Sequence, residues 1–466
     1  MRLVLRDVEV GGHRTDVVVD GGVIISVGPA STGGADEVLA GEGGALIPGL
    51  WDHHVHLLAT AAAESSVRAG PPDVSSVDEL RRALTVASGR RPGGGWIRAV
   101  GYHESVAGDL DRHGLDAIVG DRPVRVQHRS GALWILNSTG AEYADLDHAD
   151  LGGIERDHAG RATGRVFGAD DWLRDRITAD DAVPDVGAVG ARLTRLGVAG
   201  VTDATPDADT TSWELLAAAA SDGRLPQHVV VTGGPELTAT AAPPPLLAGP
   251  VKLYLADHAL PTLDDLAARI DAAHRTDRAV AFHSVTRLSL ALAVAALDTA
   301  GSRAGDRVEH GAVVPPDLAA RLVDHGLTVV TQPGFVAARG DQYLADVDAD
   351  DLPHLYPCAS LLAAGIPVGG STDAPFTELD PWAAITAATE RRAPSGAIVG
   401  PGETVTARRA LDLFLTPPDD PGGSPRRVAA GAPADLCLLD RPLDDALARP
   451  SADAVRATVI EGVLRG

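Results

Sequence analysis

Two histidines spaced one residue apart, His54 and His56, end the run Leu46-Ile47-Pro48-Gly49-Leu50-Trp51-Asp52-His53-His54-Val55-His56. On a β-strand, residues i and i+2 share a face, so both imidazoles can reach one point in space. A shared divalent ion requires that arrangement, and neutral imidazole binds zinc, iron, nickel and copper. Further along stand His283 in Ala279-Val280-Ala281-Phe282-His283, His310 in Arg307-Val308-Glu309-His310-Gly311, and Asp373 in Gly370-Ser371-Thr372-Asp373-Ala374-Pro375. Each alone has a plain reading as a core histidine or a solvated aspartate. Lys252 is more unusual. The chain has 40 lysines and arginines together, and Lys252 is the single lysine. Arginine serves wherever positive charge is wanted, but a guanidinium cannot lose its proton and react as an amine can.

These residues need a frame that brings them together. At 466 residues the chain accommodates a (β/α)8 barrel, roughly 250 residues, and a smaller domain. From about residue 185, strand and helix patterns alternate. Strands are predicted at Gly197–Ala204, Pro226–Gly233, Pro250–Leu255, Ala279–Val285, Arg307–Val313, Leu327–Gln332 and Ile366–Ser371. Helices are predicted between them, as at Leu263–His274, where Thr262 stands at the N-cap and Leu266, Ile270 and Ala273 form an apolar stripe. With the strand in 46–57 this makes eight parallel strands and predicts a closed α/β barrel spanning 46–400. His54 and His56, Lys252, His283, His310 and Asp373 then fall at or near the C-terminal ends of strands one, four, five, six and eight. In such barrels that end carries the active site.

Residues 1–45 read as short strands separated by Gly-Gly turns, too few to bury a core. Asp435–Asp440 and Ala454–Leu464 offer the missing partners, so 1–45 and 401–466 are expected to form one discontinuous β-sandwich. Residues 60–180 break the alternation with a helix at Val77–Ala87 and strands at Gly95–Val100 and Pro123–His128, and are expected to form an inserted subdomain beside the barrel mouth.

The net charge of −24 argues against nucleic acid and anionic membranes as partners. The opening residues lack the apolar core of a signal peptide, and no apolar run is long enough to span a bilayer. Cys358 and Cys437 fit no metal or redox spacing. A cytoplasmic protein acting on a small molecule is expected, with a homodimer as the assembly such barrels often form.

The chain resembles the amidohydrolase superfamily, and within it the third family, that of formamide deformylase-like enzymes. The resemblance rests on the Pro-Gly-x-x-Asp-x-His-x-His entry, the sandwich from both chain ends, the insertion and the Gly-Ser-x-Asp-Ala-Pro segment. It implies two divalent ions, zinc first among the candidates. His54 and His56 would hold one and His283 and His310 the other, with a carboxylated Lys252 bridging them and Asp373 completing the site. The charges are consistent: a carbamate, an ionised Asp373 and one hydroxide offset three of four positive charges. CO2 adds only to a neutral amine, which burial near cations favours. The expected reaction is cleavage of an amide-like, non-peptide C–N bond by metal-activated hydroxide, with Asp373 taking the proton and passing it to the departing nitrogen.

Substrate contacts are expected from Gln332 and Arg339 after strand seven, and from His128 and Trp134 in the insertion. The histidine that such enzymes carry five residues before an Asn-Ser pair is Ala132 here, before Asn137-Ser138. Two alternatives stand beside this reading. A mononuclear deaminase of the same superfamily would carry a glutamate three residues after the strand-five histidine, where this chain has Thr286. A catalytically silent binding protein would be expected to have lost at least one ligand.

Overall fold

The computed structural model describes residues 1–90, 95–169, 172–173, 176–177, 184–206, 208–237 and 246–465. Contacts divide the chain into two units, Met1–Leu57 with Val186–Gly466, and Leu58–Asp185.

The first unit begins with the tight hairpins its glycines predict. Gly11-Gly12 joins Arg2–Val10 to His13–Asp20, and Gly21-Gly22 joins the latter to Val23–Val27. All four glycines have positive φ, as a two-residue turn of this kind demands. Glu37–Ala40 completes this sheet by pairing in parallel with Arg2–Val10. A second sheet contains Leu46–Pro48, Leu436–Leu439, Val455–Ile460 and Val463–Arg465, in that order across the sheet. Leu3, Leu5, Val17, Val19 and Ile24 of the first sheet pack with Leu46, Leu436, Leu438 and Val459 of the second in one core.

The run 46–57 is therefore divided between two sheets. Leu46–Pro48 pairs with Leu436–Leu439, whereas Leu50–Val55 is a barrel strand. Gly49 is the hinge. Its N–H donates to Asp435 O at 2.8 Å, and a Cβ there would lie 2.5 Å from the Ala199 Cβ, so no larger residue fits without movement. The predicted Ala454–Leu464 stretch likewise splits into a hairpin at Glu461-Gly462, both with positive φ.

The barrel strands are Leu50–Val55, Val198–Asp203, His228–Gly233, Leu246–Tyr254, Val280–Ser284, Arg307–His310, Thr328–Thr331 and Val368–Gly370. Each pairs in parallel with its successor, giving an eight-stranded α/β barrel sheet. Just past the strands, at the seam between first and eighth, Asp373 N–H donates to His54 O at 2.8 Å and His56 N–H to Ala374 O at 2.9 Å. The alternating helices are present, and Leu263–Arg275 shows why they form. Thr262 Oγ1 accepts from Asp265 N–H at 3.2 Å, a cap worth about 1 kcal/mol, and Leu266, Ile270 and Ala273 are buried on one face. Strand six stops at His310, short of the predicted Val313, because His310 and Gly311 have φ of 70° and 52° and turn the chain.

The second unit has its own six-stranded sheet, running Ile154–Arg156, Ala162–Phe167, Leu133–Leu136, Val124–His128, Ile97–Tyr102 and Val67–Arg68. Helix Val77–Arg90 contributes Leu80 and Leu84 to a core of this unit. Among the described residues, no helix is long and apolar enough to cross a membrane.

Candidate metal centre

The first barrel strand delivers His54 and His56 to the barrel's C-terminal end, and the turn after the eighth delivers Asp373. His56 Nε2 lies 3.1 Å and His54 Nε2 3.5 Å from the same oxygen, Asp373 Oδ1. One ligand atom from each of the three residues lies within 4.8 Å of the others. Asp373 holds φ at 59°, a left-handed conformation that aspartate adopts only at some cost and that recurs at functional sites.

Three side-chain atoms here are buried and take part in no hydrogen bond: His54 Nε2, Asp373 Oδ1 and Lys252 Nζ. Leaving such groups unmatched costs about 1–3 kcal/mol each, more when charged. Two imidazole nitrogens and a carboxylate oxygen converging on one point are a donor set that suits a divalent cation, which would satisfy them.

Next to this trio, His310 Nε2 lies 2.9 Å from His283 Nδ1. On its other side, His310 Nδ1 is 2.8 Å from Gln332 Oε1. Gln332 Nε2 donates to Val330 O and Ser371 Oγ at 3.1 and 3.0 Å, which fixes its oxygen as an acceptor. The His310 proton therefore belongs on Nδ1, and His283 Nδ1 is the donor toward His310 Nε2. The four imidazoles form a row, His56, His54, His310 and His283, with successive ring centroids 5.3, 4.9 and 4.5 Å apart.

Burial disfavours the charged form of three of these imidazoles. It lowers His54, drives His283 well below the usual histidine range, and pushes His310 down to about 3. Burial also brings the Lys252 amine down to about 8, against the opposing pull of Glu309. For Asp373 burial acts upward, yet His54 and the neighbouring imidazoles outweigh it and hold the carboxyl below its ordinary value. Neutral histidines, an ionised aspartate and an amine that readily loses its proton are the ligand states a cation requires.

The amidohydrolase family profile matches residues 37–466. The chain belongs to the amidohydrolase family. This amidohydrolase is 26% identical over 523 residues to N-substituted formamide deformylase of Arthrobacter pascens, covering 96% of this chain and 94% of that one. An uncharacterized metal-dependent hydrolase of Pyrococcus horikoshii shares the fold over 100% of both chains, with a TM-score of 0.75 at 19% identity. The atrazine chlorohydrolase TrzN of Arthrobacter aurescens TC1, solved with zinc, has a TM-score of 0.57 at 15% identity over 99% of this chain and 94% of that one. As a member of the family the chain is a hydrolase acting on C–N bonds.

The amidohydrolase contains a supporting layer that sequence reasoning missed. Glu309 Oε2 bonds His54 Nδ1, and Glu309 Oε1 accepts from Arg307 Nε at 2.7 Å. All three side chains are buried. Burial would raise the Glu309 carboxyl, but Arg307, Lys252 and His54 hold it well below its usual range. Glu309 immediately precedes His310, so simple strand alternation would send the two to opposite faces. The positive φ of His310 is what lets both serve the same site. Asp52 is a second such residue. Its carboxylate accepts from His54 N–H at 3.2 Å and from Thr372 N–H at 3.0 Å, tying strand one to the Asp373 turn. Its place two residues before His54 in the entry motif was the available signal.

The remaining expected contacts fall in different places. Gln332 touches His310, as above. Arg339 lies on helix Gly334–Asp346 with its guanidinium 4.8 Å from the Phe335 ring centroid, donating to Phe376 O at 3.1 Å. His128 and Trp134 belong to the unit Leu58–Asp185. There His128 Nε2 lies 3.2 Å from Glu104 Oε2, and Trp134 is buried in a core with the Arg125 guanidinium 5.2 Å from its ring centroid. His53 points away from the row, its Nε2 2.8 Å from Thr416 Oγ1.

Proposed function

We propose that this amidohydrolase hydrolyses an amide-like, non-peptide C–N bond of a small molecule in the cytoplasm, using two divalent ions, zinc first among them, bridged by a carboxylated Lys252. The observation that carries the reading is the convergence of His54, His56 and Asp373, with His54 Nε2 and Asp373 Oδ1 buried and unmatched, beside a row of imidazoles, Lys252 Nζ being likewise buried and unmatched. His54, His56 and Asp373 would hold one ion, and His283 and His310 the other. Bound there, a divalent ion supplies a Lewis acid for a carbonyl oxygen and lowers the pKa of a water.

The protein's own groups do the rest. As water adds to the carbonyl carbon, Asp373 accepts its proton. Asp373 returns that proton to the nitrogen as the C–N bond breaks, releasing a carboxylic acid and an amine. Glu309 holds the His54 ring with Nε2 toward the site. The lowered pKa of Lys252 leaves a larger share of neutral amine for CO2 to join as a carbamate, with release of a proton. The name of the Arthrobacter pascens relative makes N-substituted formamides the first compounds to try.

A single-ion version of the same hydrolysis is the second reading, favoured by the His54–His56–Asp373 trio and by the direct His283–His310 contact. Thr286 gives the deaminase reading no support. Its hydroxyl donates to Asp257 Oδ1 at 2.6 Å and caps helix Arg287–Ala300.

Elemental analysis of wild type and Lys252→Arg, with a screen of N-formyl, N-acyl and cyclic amides, tests the proposal. Two ions per wild-type chain, falling in the variant, and turnover of an amide are expected. One ion in both supports the single-ion reading, and no bound metal after reconstitution overturns both.

A further inference from the structure

His54 and His56 leave the same strand toward the same aspartate, yet different groups stand behind their rings. Behind His54 is the carboxylate of Glu309, bonded to Nδ1. Behind His56 is a hydroxyl. Thr205 Oγ1 lies 3.3 Å from His56 Nδ1, while Nε2 of the same ring faces Asp373 Oδ1 at 3.1 Å.

The second barrel strand holds Thr205 in place. Strand Val198–Asp203 ends in Asp203, which is 1% exposed. Asp203 Oδ1 accepts from Thr205 N–H at 3.1 Å, and Asp203 Oδ2 accepts from Leu57 N–H at 2.8 Å. Between them, Ala204 N–H donates to Val55 O at 2.8 Å. Val55 and Leu57 are the chain neighbours of His56. The backbone on both sides of this histidine is therefore tied to the three residues that end in Thr205. One buried carboxylate sets the backbone after His56 and the hydroxyl behind its ring together.

We propose that Thr205, held by Asp203, is the positioning residue of His56. The proposal rests on the ion that His54, His56 and Asp373 are proposed to hold. A neutral imidazole that gives the Nε2 lone pair to a cation carries its one proton on Nδ1. The cation draws electron density from the ring and makes that N–H a stronger donor. Thr205 Oγ1 is placed to accept it, which fixes the ring with Nε2 toward Asp373. A partner of this kind orients the ligand and raises its basicity.

Chelator competition for zinc and denaturant unfolding of the metal-free protein test the proposal. Thr205→Val removes the hydroxyl and keeps the branched shape, and should weaken zinc binding about tenfold. Thr205→Ser restores the hydroxyl and should stay within about threefold of wild type. Both should unfold, metal-free, at the wild-type denaturant concentration. Asp203→Asn replaces one of two acceptor oxygens by an N–H donor, and should also weaken zinc binding about tenfold. Nuclear magnetic resonance on zinc-loaded protein with isotope-labelled histidine gives an independent reading. The His56 Nδ1–H signal, assigned by its loss in His56→Gln, should exchange with solvent faster in Thr205→Val than in wild type or Thr205→Ser.

Zinc affinity of Thr205→Val within about threefold of wild type overturns the inference and leaves the metal site standing. So does a Thr205→Ser variant as weak as Thr205→Val, an unchanged exchange rate, or a metal-free Thr205→Val that unfolds at clearly lower denaturant. Wild-type affinity in Asp203→Asn overturns the part assigned to Asp203. A wild-type chain that binds no zinc overturns the metal-site reading and the inference together.

Discussion

Replacing Glu309 by glutamine keeps the shape of the side chain and removes its charge. The glutamate uses one oxygen for His54 Nδ1 and the other for Arg307 Nε, the latter at 2.7 Å. A glutamine has one acceptor oxygen, so its amide N–H must face either the His54 N–H or the Arg307 guanidinium. Arg307 is 2% exposed, with Nη2 already making no hydrogen bond, so its charge would be left without an ionic partner. Removing one partner of a buried pair costs about 3–5 kcal/mol, and denaturant unfolding of the metal-free protein should register a loss of that order. The second effect is on the ligand. Without a carboxylate at Nδ1, His54 is less basic at Nε2 and less firmly oriented, which typically lowers metal affinity about 10–100-fold. At ~1.4 kcal/mol per tenfold change, that is ~1.4–2.8 kcal/mol of binding free energy. A chelator competition titration reads the zinc affinity directly. If Glu309→Gln binds zinc within about threefold of wild type and unfolds at the same denaturant concentration, Glu309 neither orients His54 nor stabilises Arg307.

Asp373→Asn should lower turnover of an amide substrate by about 10²–10⁴-fold while most metal stays bound, and an active variant refutes the proton-transfer role. The His228–Asp435 contact, at 3.1 Å, predicts a pH dependence. Its hydrogen bond raises the His228 pKa above 6.5, so the stabilisation is complete below pH 6.5 and fades as pH climbs through the folded-state value. The advantage of wild type over His228→Gln in denaturant unfolding should therefore shrink between pH 6 and 9, and an advantage that grows instead refutes the assignment. Gly49→Ala places a methyl 2.5 Å from the Ala199 Cβ and should cost about 1–3 kcal/mol in denaturant unfolding, whereas unchanged stability would mean that the hinge has room.

Local rules were enough for much of this protein. Gly-Gly pairs dictate the N-terminal hairpins because only glycine readily takes two successive positive φ values. Thr262 and the stripe behind it dictate a helix because both act within a few residues. His54 and His56 share a face for the same reason, and the strand-helix alternation implies a barrel whose strand ends must gather. What the chain's order could not reveal depends on meetings between distant segments. Leu46–Pro48 left the barrel because its edge pairs with Leu436–Leu439, which arrive from the far end of the chain. Glu309 stayed hidden because its role depends on a positive φ at His310 and on a partner, His54, on another strand. Sequence determined which residues stand at the strand ends, because spacing along a strand is a local matter. Closure of the barrel decided which of them touch, because hydrogen bonds, charge neutralisation and ring contacts act only across the few ångströms that tertiary structure creates.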